Sequence, residues 1–359
     1  MSAAPGAESV AAQVRGARAG AALCEAPGRA LIAVRGGDRR NWLDGMLTRD
    51  IANLAAGQAV YALALTRQGR IVSDLFALAF EQHFWLDLPA AAEAETLAHL
   101  QRFIVADDVT LESAGANAWQ RFTLEGPGAE AALLQSGAAP PAAGRVANCK
   151  LAGAQVWLAG YGFTGEPAWQ LFAPPGAANA VRAKLCAAAG VVEVSAAALE
   201  CLRIENGVPR FGAELDGSVL PAEARLERAI ATDKGCYTGQ EVVARMQSRG
   251  RVGHLLVGLR FATEASAADG GALCRNLPDA ELRCEGAAVG GVTSAALSPQ
   301  HGVIALGFVR AAHAEPGTAL CAAPKPGAAA SGGAAAEDGA AAADGAELRA
   351  VVAALPFGA

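Results

Sequence analysis

The stretch Asp233-Lys234-Gly235-Cys236-Tyr237-Thr238-Gly239-Gln240-Glu241 concentrates more chemistry in nine residues than any other part of the chain. Thr238 and Glu241 fit the pattern S/T-x-x-E, and Val242, Val243 and Met246 follow at helical spacing. This predicts a capping box with Thr238 as N-cap and Glu241 at the third helical position. The helix is expected to run to about Arg249 and to stop at Gly250. Arg245 and Arg249 then fall in the last turns, where the dipole favours positive charge. Cys236 precedes the expected N-cap by two residues. Three features favour its thiolate: the positive potential of a helix start, Lys234 nearby, and two glycines that open the loop. The competing reading is a small buried hydrophobe, the usual state of a free cysteine.

Working outward, the chain of 359 residues is long enough for two or three compact units and a sizeable core. Its formal charge of −6 gives no basic footprint, so direct nucleic-acid binding is not expected. Much of the 53% hydrophobic content is alanine, and no run of eighteen strongly apolar residues occurs, so no membrane span is expected. Arg15 and Arg18 interrupt the only mildly apolar run near the start, which argues against a signal peptide. The eight cysteines are scattered, with no C-x-x-C and no zinc or ferredoxin spacing. Reduced thiols in a cytoplasmic protein, with no metal held by the chain alone, are the expectation.

Residues 1–21 are Ala/Gly-rich and read as a mobile leader. Ala30–Val34 reads as a buried strand, and Asp38 as the N-cap of a helix whose apolar stripe is Trp42, Leu43, Met46 and Leu47. Val60–Leu65 and Ile71–Phe80 form a hairpin around Arg67-Gln68-Gly69-Arg70, with Gly69 supplying the awkward backbone angles. Asp74 sits inside that hairpin among Ile71, Val72, Leu75 and Phe76. It belongs either to a solvated face or to a site. His83–Leu88 reads as the next strand, a helix covers 91–103, and Asp107 and Asp108 are expected in turn or strand-edge roles. Strands are expected at Trp119–Glu125, Gln155–Ala159 and Ala168–Ala173, with helices at Ala129–Leu134, after Pro174-Pro175-Gly176 through Cys186, and at Ala196–Glu205. Glu205 could cap or pair with Arg203 or Arg210, or bind a ligand through its paired acceptor oxygens. From Val252 onward short strands between Gly and Pro turns suggest a small β-barrel. Residues 326–346 read as a low-complexity insertion, and Glu347–Phe357 as a last strand. No G-x-G-x-x-G follows a strand, so a dinucleotide fold has no support.

Several of these segments carry a resemblance. Lys234-Gly235-Cys236-Tyr237-x-Gly239-Gln240-Glu241 resembles the K-G-C-Y-x-G-Q-E signature of the YgfZ family, folate-binding relatives of the glycine-cleavage T-protein implicated in making or repairing iron–sulfur proteins. Leu47-Thr48-Arg49-Asp50, Gly69–Leu75, Tyr161–Glu166, Leu202–Gly207, Glu214-Leu215-Asp216, Leu220–Glu223 and Gly290–Ser294 are similar to T-protein segments, and Ile104–Leu111 resembles the family's F-I-x-x-D-D-V strand entry. The resemblance implies an α+β, T-protein-like cloverleaf: subdomains of mixed and antiparallel sheet with helices over residues 22–250, the second at about 119–195, and a C-terminal β-barrel over 251–359. It also implies tetrahydrofolate, or a one-carbon derivative, in a central cavity. Glu205, Arg203, Asp74, Tyr237, Gln240 and Glu241 would bind it. Asp74 would face its reactive nitrogens, and Cys236, supported by Lys234, would stand at the mouth. The function implied is that of an accessory protein in cluster biosynthesis or repair, with iron–sulfur clients as partners and an indirect link to tRNA methylthiolation. Two other readings stay open: an aminomethyltransferase or demethylase on the same scaffold, and a scaffold protein in which Cys236 is structural. Ser73-Asp74 stands where the transferases carry paired acids, and Gln170 where an acid is usual.

Overall fold

A computed structural model describes residues 9–26, 28–114, 118–250, 252–262, 267–323 and 347–358, the side chains of 247–249 and 267–269 apart. In chain order the first elements are α1 (Val10–Ala19), β1 (Ala21–Glu25), β2 (Arg29–Arg35), α2 (Arg39–Met46), β3 (Ala59–Leu65), β4 (Ile71–Ala79), β5 (Phe84–Pro89), α3 (Ala90–Gln101) and β6 (Thr110–Ser113). Then come β7 (Gln120–Glu125), α4 (Ala129–Gln135), β8 (Val146–Leu151), β9 (Ala154–Ala159), β10 (Ala168–Ala173), α5 (Ala178–Cys186), β11 (Val191–Glu193), α6 (Ala196–Glu205) and α7 (Gln240–Arg249). The last are β12 (His254–Phe261), α8 (Ala267–Asn276), β13 (Glu281–Cys284), β14 (Ala287–Ser298), β15 (Gly302–Arg310), β16 (Ala319–Ala323) and β17 (Leu348–Ala353). The chain divides into two compact units, Met1–Leu202 with Pro209–Arg251, and Arg203–Val208 with Val252–Ala359.

The first unit holds two sheets. One has the order β3-β4-β5-β2-β6, the other β11-β1-β7-β10-β9-β8. Each buries one face under helices, because its strands alternate apolar side chains toward that face. Trp42, Leu43 and Leu47 of α2 and its C-terminal turn, with Leu100 of α3, cover the first sheet through Ile32, Val34, Ala62, Leu75 and Leu86. Trp42 is therefore core, as its place on the apolar stripe predicts. Helices α4 and α5 cover the second sheet through Leu133, Val181 and Leu185. The opposite faces meet across Leu31, Leu78, Phe80 and Trp85 on one side and Val146, Tyr161 and Phe172 on the other.

The second unit is built on a closed barrel of order β12-β15-β14-β13-β16-β17, filled by Val257, Leu259, Leu282, Val292, Ala305 and Val352. The expected last strand does pair back: β17 lies between β12 and β16 and removes the open edge. The expected insertion at 326–346 lies outside the described residues. Among the described residues no helix is long and apolar enough to cross a membrane.

Four local expectations need correction. Residues 10–19 are not a leader but α1, with Val14 and Ala17 buried; Ser9 accepts from the Ala12 amide as a true N-cap. Asp38 sits at the N-cap of α2, yet its carboxylate makes no capping bond and instead accepts from the Asp108 amide at 2.8 Å. Residues 104–109 form a loop before β6, in which the Asp108 carboxylate takes the Gly37 amide at 2.7 Å. Finally, the Thr238 capping box does not form. The N-cap of α7 is Gly239, in the left-handed region at φ 86°, without a side-chain cap; the Thr238 amide donates instead to the Gly45 carbonyl at 3.0 Å. The stop at Gly250 does form, its amide returning to the Met246 carbonyl.

Gly239 is placed by what it touches. A Cβ there would come within 2.6 Å of the Thr66 carbonyl oxygen, at the β3–β4 turn, and one on Gly69 would meet the Val242 side chain at 3.0 Å. The two glycines let the hairpin tip and the first turn of α7 close on each other. Left-handed backbone alone costs a side chain about 1–2 kcal/mol, so Gly239→Ala should destabilise the chain by about 2 kcal/mol or more once the clash is added. Urea unfolding measures it; a loss below about 0.5 kcal/mol would mean the approach is not tight.

Candidate functional site

Strand alternation brings one set of side chains to the inter-sheet face of the first sheet. Tyr61 pairs with Phe76, Phe76 with Asp87, and Asp87 with Leu31, while Leu63 pairs with Asp74 and Pro89 with Arg29. Paired residues share a face, and so do residues two apart. Tyr61, Asp74, Phe76, Asp87 and Arg29 therefore stand together.

Asp87 is fully buried and takes cations from two directions. Arg121 donates to it in a two-pronged pair, Nη1 at 2.8 Å, and Arg29 Nε reaches it at 3.0 Å. The Tyr161 hydroxyl donates as well. Burial alone would raise the Asp87 carboxyl, but Arg121 and Arg29 hold it below the ordinary carboxylate range. Tyr161, so fixed, stacks on Phe76 at 3.8 Å between ring centroids, and the Arg29 guanidinium lies 4.5 Å over the Phe163 ring. The loop that bears Tyr161 and Phe163 hangs on buried Glu125, which accepts from the amides of Phe163 and Thr164. Gln170, where an acid is usual, donates to Thr123 Oγ1 at 2.7 Å and to the Tyr161 carbonyl at 3.2 Å.

Asp74 is of another kind. Its Oδ2 accepts from Tyr61 at 3.2 Å, but its Oδ1 is buried with no hydrogen-bond partner. Burial raises its carboxyl above the usual range, with Arg29 and the Tyr61 hydroxyl opposing. Of the two expectations for Asp74, a solvated face is excluded. The Tyr61 hydroxyl is itself raised well above its ordinary value by burial and by Asp74, and the Arg228 guanidinium stands 5.5 Å from its ring. A carboxyl held toward its neutral form can donate a proton as well as accept one. Tyr61, Arg29 and Tyr161 were not among the sequence-derived site residues; the period of two along β3 and β4 marks Tyr61, while nothing local marks Arg29.

Lys234 corrects an expectation. Its side chain is 2% exposed, and Nζ reaches Asp44 Oδ1 at 3.0 Å and the carbonyls of Asp44, Leu47 and Arg49 at 2.5, 3.0 and 2.8 Å. Asp44 lies in the last turn of α2 and Leu47 is its C-cap, where carbonyls have no intrahelical donors, and Arg49 lies in the turn beyond. Burial lowers the Lys234 ammonium, with Asp44 working the other way. The lysine is a staple between the signature loop and α2, its ammonium committed to Asp44 and these carbonyls. Helix α7 begins four residues after Cys236, which weakens the dipole argument too. Cys236 is nonetheless exposed and free. Tyr237 is buried beside Lys234, its ring 5.4 Å from Nζ; Gln240 opens α7; Glu241 is on the surface, paired with Arg245 at 2.6 Å. These three are not brought together around a common point by any bond among the described residues.

Arg203 and Glu205 belong to the second unit and are almost fully buried. Arg203 Nη1 donates to the Val208 carbonyl at 3.2 Å, and Glu205 Oε1 accepts from Ser298 at 2.5 Å. Glu214 and Glu223 order their own loops, taking the amides of Arg210 and Leu220.

Two outcomes are expected. Removing a buried cation from its acceptors costs about 3–5 kcal/mol, so Lys234→Met should lose that much in urea unfolding, while the alkylation rate of Cys236 in the folded chain changes by less than about twofold. A large rate drop would restore Lys234 as the support of the thiol. For Asp74, the folded pKa lies above the unfolded one, so between them the folded chain holds more protons. Its stability is whole below the unfolded value of about 3.9 and is lost as pH rises through the folded value. Asp74→Asn removes this titration and should gain stability relative to wild type as pH rises from about 4 until the folded carboxyl has ionised. Thermal unfolding of both proteins across that range checks it; a constant difference would contradict the buried, proton-holding carboxyl.

The sequence profile of the GCVT N-terminal domain matches residues 4–234. The chain is 30% identical over 324 residues to the aminomethyltransferase of Saccharopolyspora erythraea, covering 86% of this chain and 84% of that protein. It is 30% identical over 283 residues to that of Exiguobacterium sibiricum, covering 77% and 75%. The match to the Rubrobacter xylanophilus aminomethyltransferase, 32% over 224 residues, spans only 59% of that relative and 61% of this chain. In structure the chain resembles the glycine cleavage system aminomethyltransferase T of Bartonella henselae, with a TM-score of 0.80, 24% identity and coverage of 97% and 89%, a likeness of fold. These relatives bear the name of the transferases and not of the cluster-assembly branch that the K-G-C-Y signature suggested. By the profile match and the two relatives aligned over three quarters or more of their length, the chain belongs to the GCVT, or aminomethyltransferase, family.

Proposed function

We propose that this chain binds tetrahydrofolate and serves one-carbon transfer in the manner of the aminomethyltransferases it is related to. The observation that carries this reading is Asp74: a buried carboxyl with one oxygen unpartnered, held toward its neutral form, beside the aromatic wall of Tyr61, Phe76 and Tyr161. That set fits a reduced pterin, a flat ring with nitrogens that need a proton held or moved at their side. Bound tetrahydrofolate would supply the nitrogen that accepts the one-carbon unit. Asp74 Oδ1 would hold the proton there, and Tyr61 would keep the carboxyl oriented through Oδ2.

A second reading has its own support. Cys236 is exposed on the K-G-C-Y-T-G-Q-E loop, and Ser73, whose hydroxyl is turned onto the Asp74 carbonyl, leaves one acid where transferases carry two. Folate binding without turnover, in the service of iron–sulfur client proteins in the cytoplasm and indirectly of tRNA methylthiolation, would use the same cavity and add the thiol.

One experiment separates them. Wild type should bind tetrahydrofolate in calorimetry and turn over an aminomethyl donor with it. Asp74→Asn should keep the binding constant within about threefold and lose about 10²–10⁴ in rate. No folate binding by wild type would sink both readings. Binding with no turnover, together with a deletion strain whose cluster-dependent enzymes recover with wild type and not with Cys236→Ser, would establish the second.

A further inference from the structure

Two guanidiniums on the rim of the Asp74 site have no acid to answer them. Arg228 is an exposed residue, and its guanidinium stands over the ring of Tyr61, 5.5 Å from the centroid. Arg49 is half-buried. Its Nη1 donates to the Arg228 carbonyl at 3.3 Å, and its Nε is shut off from solvent with no hydrogen-bond partner. Among the described residues neither arginine forms an ion pair, whereas Arg29 and Arg121 are both committed to Asp87. Asp50, next to Arg49 in sequence, is turned onto Asn53, accepting from its amide at 3.0 Å and its side chain at 2.8 Å. A cation that is partly desolvated and unpaired is a cost that the surrounding side chains do not offset.

The strand that carries Tyr61 and the segment that carries Arg228 share one anchor. Thr48 Oγ1 accepts from the Leu63 amide at 2.9 Å and donates to the Ala229 carbonyl at 2.6 Å, and the Ala231 amide donates to the Thr48 carbonyl at 2.9 Å. Leu63 follows Tyr61 by two residues in β3, and Arg228 directly precedes Ala229. The backbone of Arg228 is thus set in register with Tyr61, while its side chain keeps its reach. Tyr61 in turn joins two groups: its hydroxyl meets Asp74 at 3.2 Å, and its ring lies under the Arg228 cation. A ligand with its reacting nitrogen at Asp74 therefore meets positive charge one aromatic ring away, with nothing yet bound to it.

We propose that Arg228, supported by Arg49, is a carboxylate-binding site on the rim of the Asp74 site, and that it takes the glutamyl end of a folate. In a folate a benzoyl ring separates the glutamyl acid groups from the nitrogens that receive the carbon unit, which matches a cation placed one ring away from Asp74. A short amine donor such as an N-methylated amino acid carries its acid group close beside its nitrogen, and so lacks that reach. A guanidinium suits the task because its planar fork meets both oxygens of a carboxylate. The inference rests on the folate reading above and adds to it the residues that select the acid end of the ligand.

The test measures, by calorimetry on the full chain, the binding of 5-formyltetrahydrofolate and of 5-formyltetrahydropteroate, the same pterin without its glutamate. The proteins compared are wild type, Arg228→Gln, Arg228→Lys and Arg49→Gln. Wild type should bind the glutamate-bearing ligand about tenfold more tightly, the scale of one charge-assisted contact. Arg228→Gln should abolish that preference and leave pteroate binding within about twofold of wild type. Arg228→Lys, which keeps the charge but not the fork, should retain a preference of about threefold. Arg49→Gln should weaken the glutamate-bearing ligand alone, by about threefold. Added salt should erode the preference of wild type and leave Arg228→Gln unmoved. Equal binding of the two ligands by wild type, or an equal loss of both in Arg228→Gln, would overturn the carboxylate site while leaving the folate reading intact. Unchanged folate binding in Arg228→Gln, with a raised KM for an N-methylated amino-acid donor, would overturn the glutamyl assignment in favour of the donor. Absence of binding of either ligand by wild type would instead bring down the folate reading and the inference with it.

Discussion

The buried carboxylate of Asp87 is the constraint on which the first unit depends. A charge taken out of water must be matched close by, and the chain matches it with Arg29 from β2, Arg121 from β7 and a hydroxyl from Tyr161. Asp87 and Arg29 belong to one sheet and Arg121 to the other, so their register is set together. The positions of Tyr161, of Phe76 stacked on it and of Phe163 under Arg29 follow from that match. Asp74 then acquires its character by default: it shares the face, but the cations nearby are committed to Asp87. A group that burial pushes toward neutrality and that no ion pair rescues is what proton transfer requires.

The fold was largely legible in the sequence because its signals are periodic. The β3–β4 hairpin, the stripe of α2 and the barrel strands all announce themselves by alternation or by helical spacing, and Gly69 and Gly250 fall where the backbone needs them. The failures are informative. Helix α1 was hidden by alanine and glycine, whose burial in Ala17 comes from packing and not from hydrophobic pattern. The capping box at Thr238 was a good local pattern overruled by a close approach between two turns, which only the folded chain discloses. Short strands β11, β13 and β16 carry too few residues for a period to show.

The site was legible in part. Asp74 and Glu205 stand out as carboxylates within apolar surroundings; Glu205 is buried, and Asp74 is half-buried with its Oδ1 shut off from solvent. Lys234 could be picked out but not understood: its neighbour in sequence is Cys236, whereas its neighbours in space are carbonyls at the end of α2 and in the turn beyond. The residues that were missed, Tyr61 and Arg29, act through partners far away in sequence, and a single chain gives no sign of such pairings. The K-G-C-Y-T-G-Q-E motif thus has two layers. Lys234 and Gly239 belong to the architecture, while Cys236, exposed and free, is the member that the scaffold does not explain.

The place of β17 and Phe357 bears on the order in which the protein can be made. Helix α6 leaves the ribosome long before the strand that closes the barrel, and the stretch around Glu205 belongs to the later-finished unit. During translation the first unit can gather its two sheets while Glu205 remains unanchored, and β12 waits with one edge open until its distant partner arrives. A nascent chain stalled short of β17 would present that edge to its neighbours. The Glu205 carbonyl accordingly meets the Phe357 amide only after the strand that closes the barrel has been made.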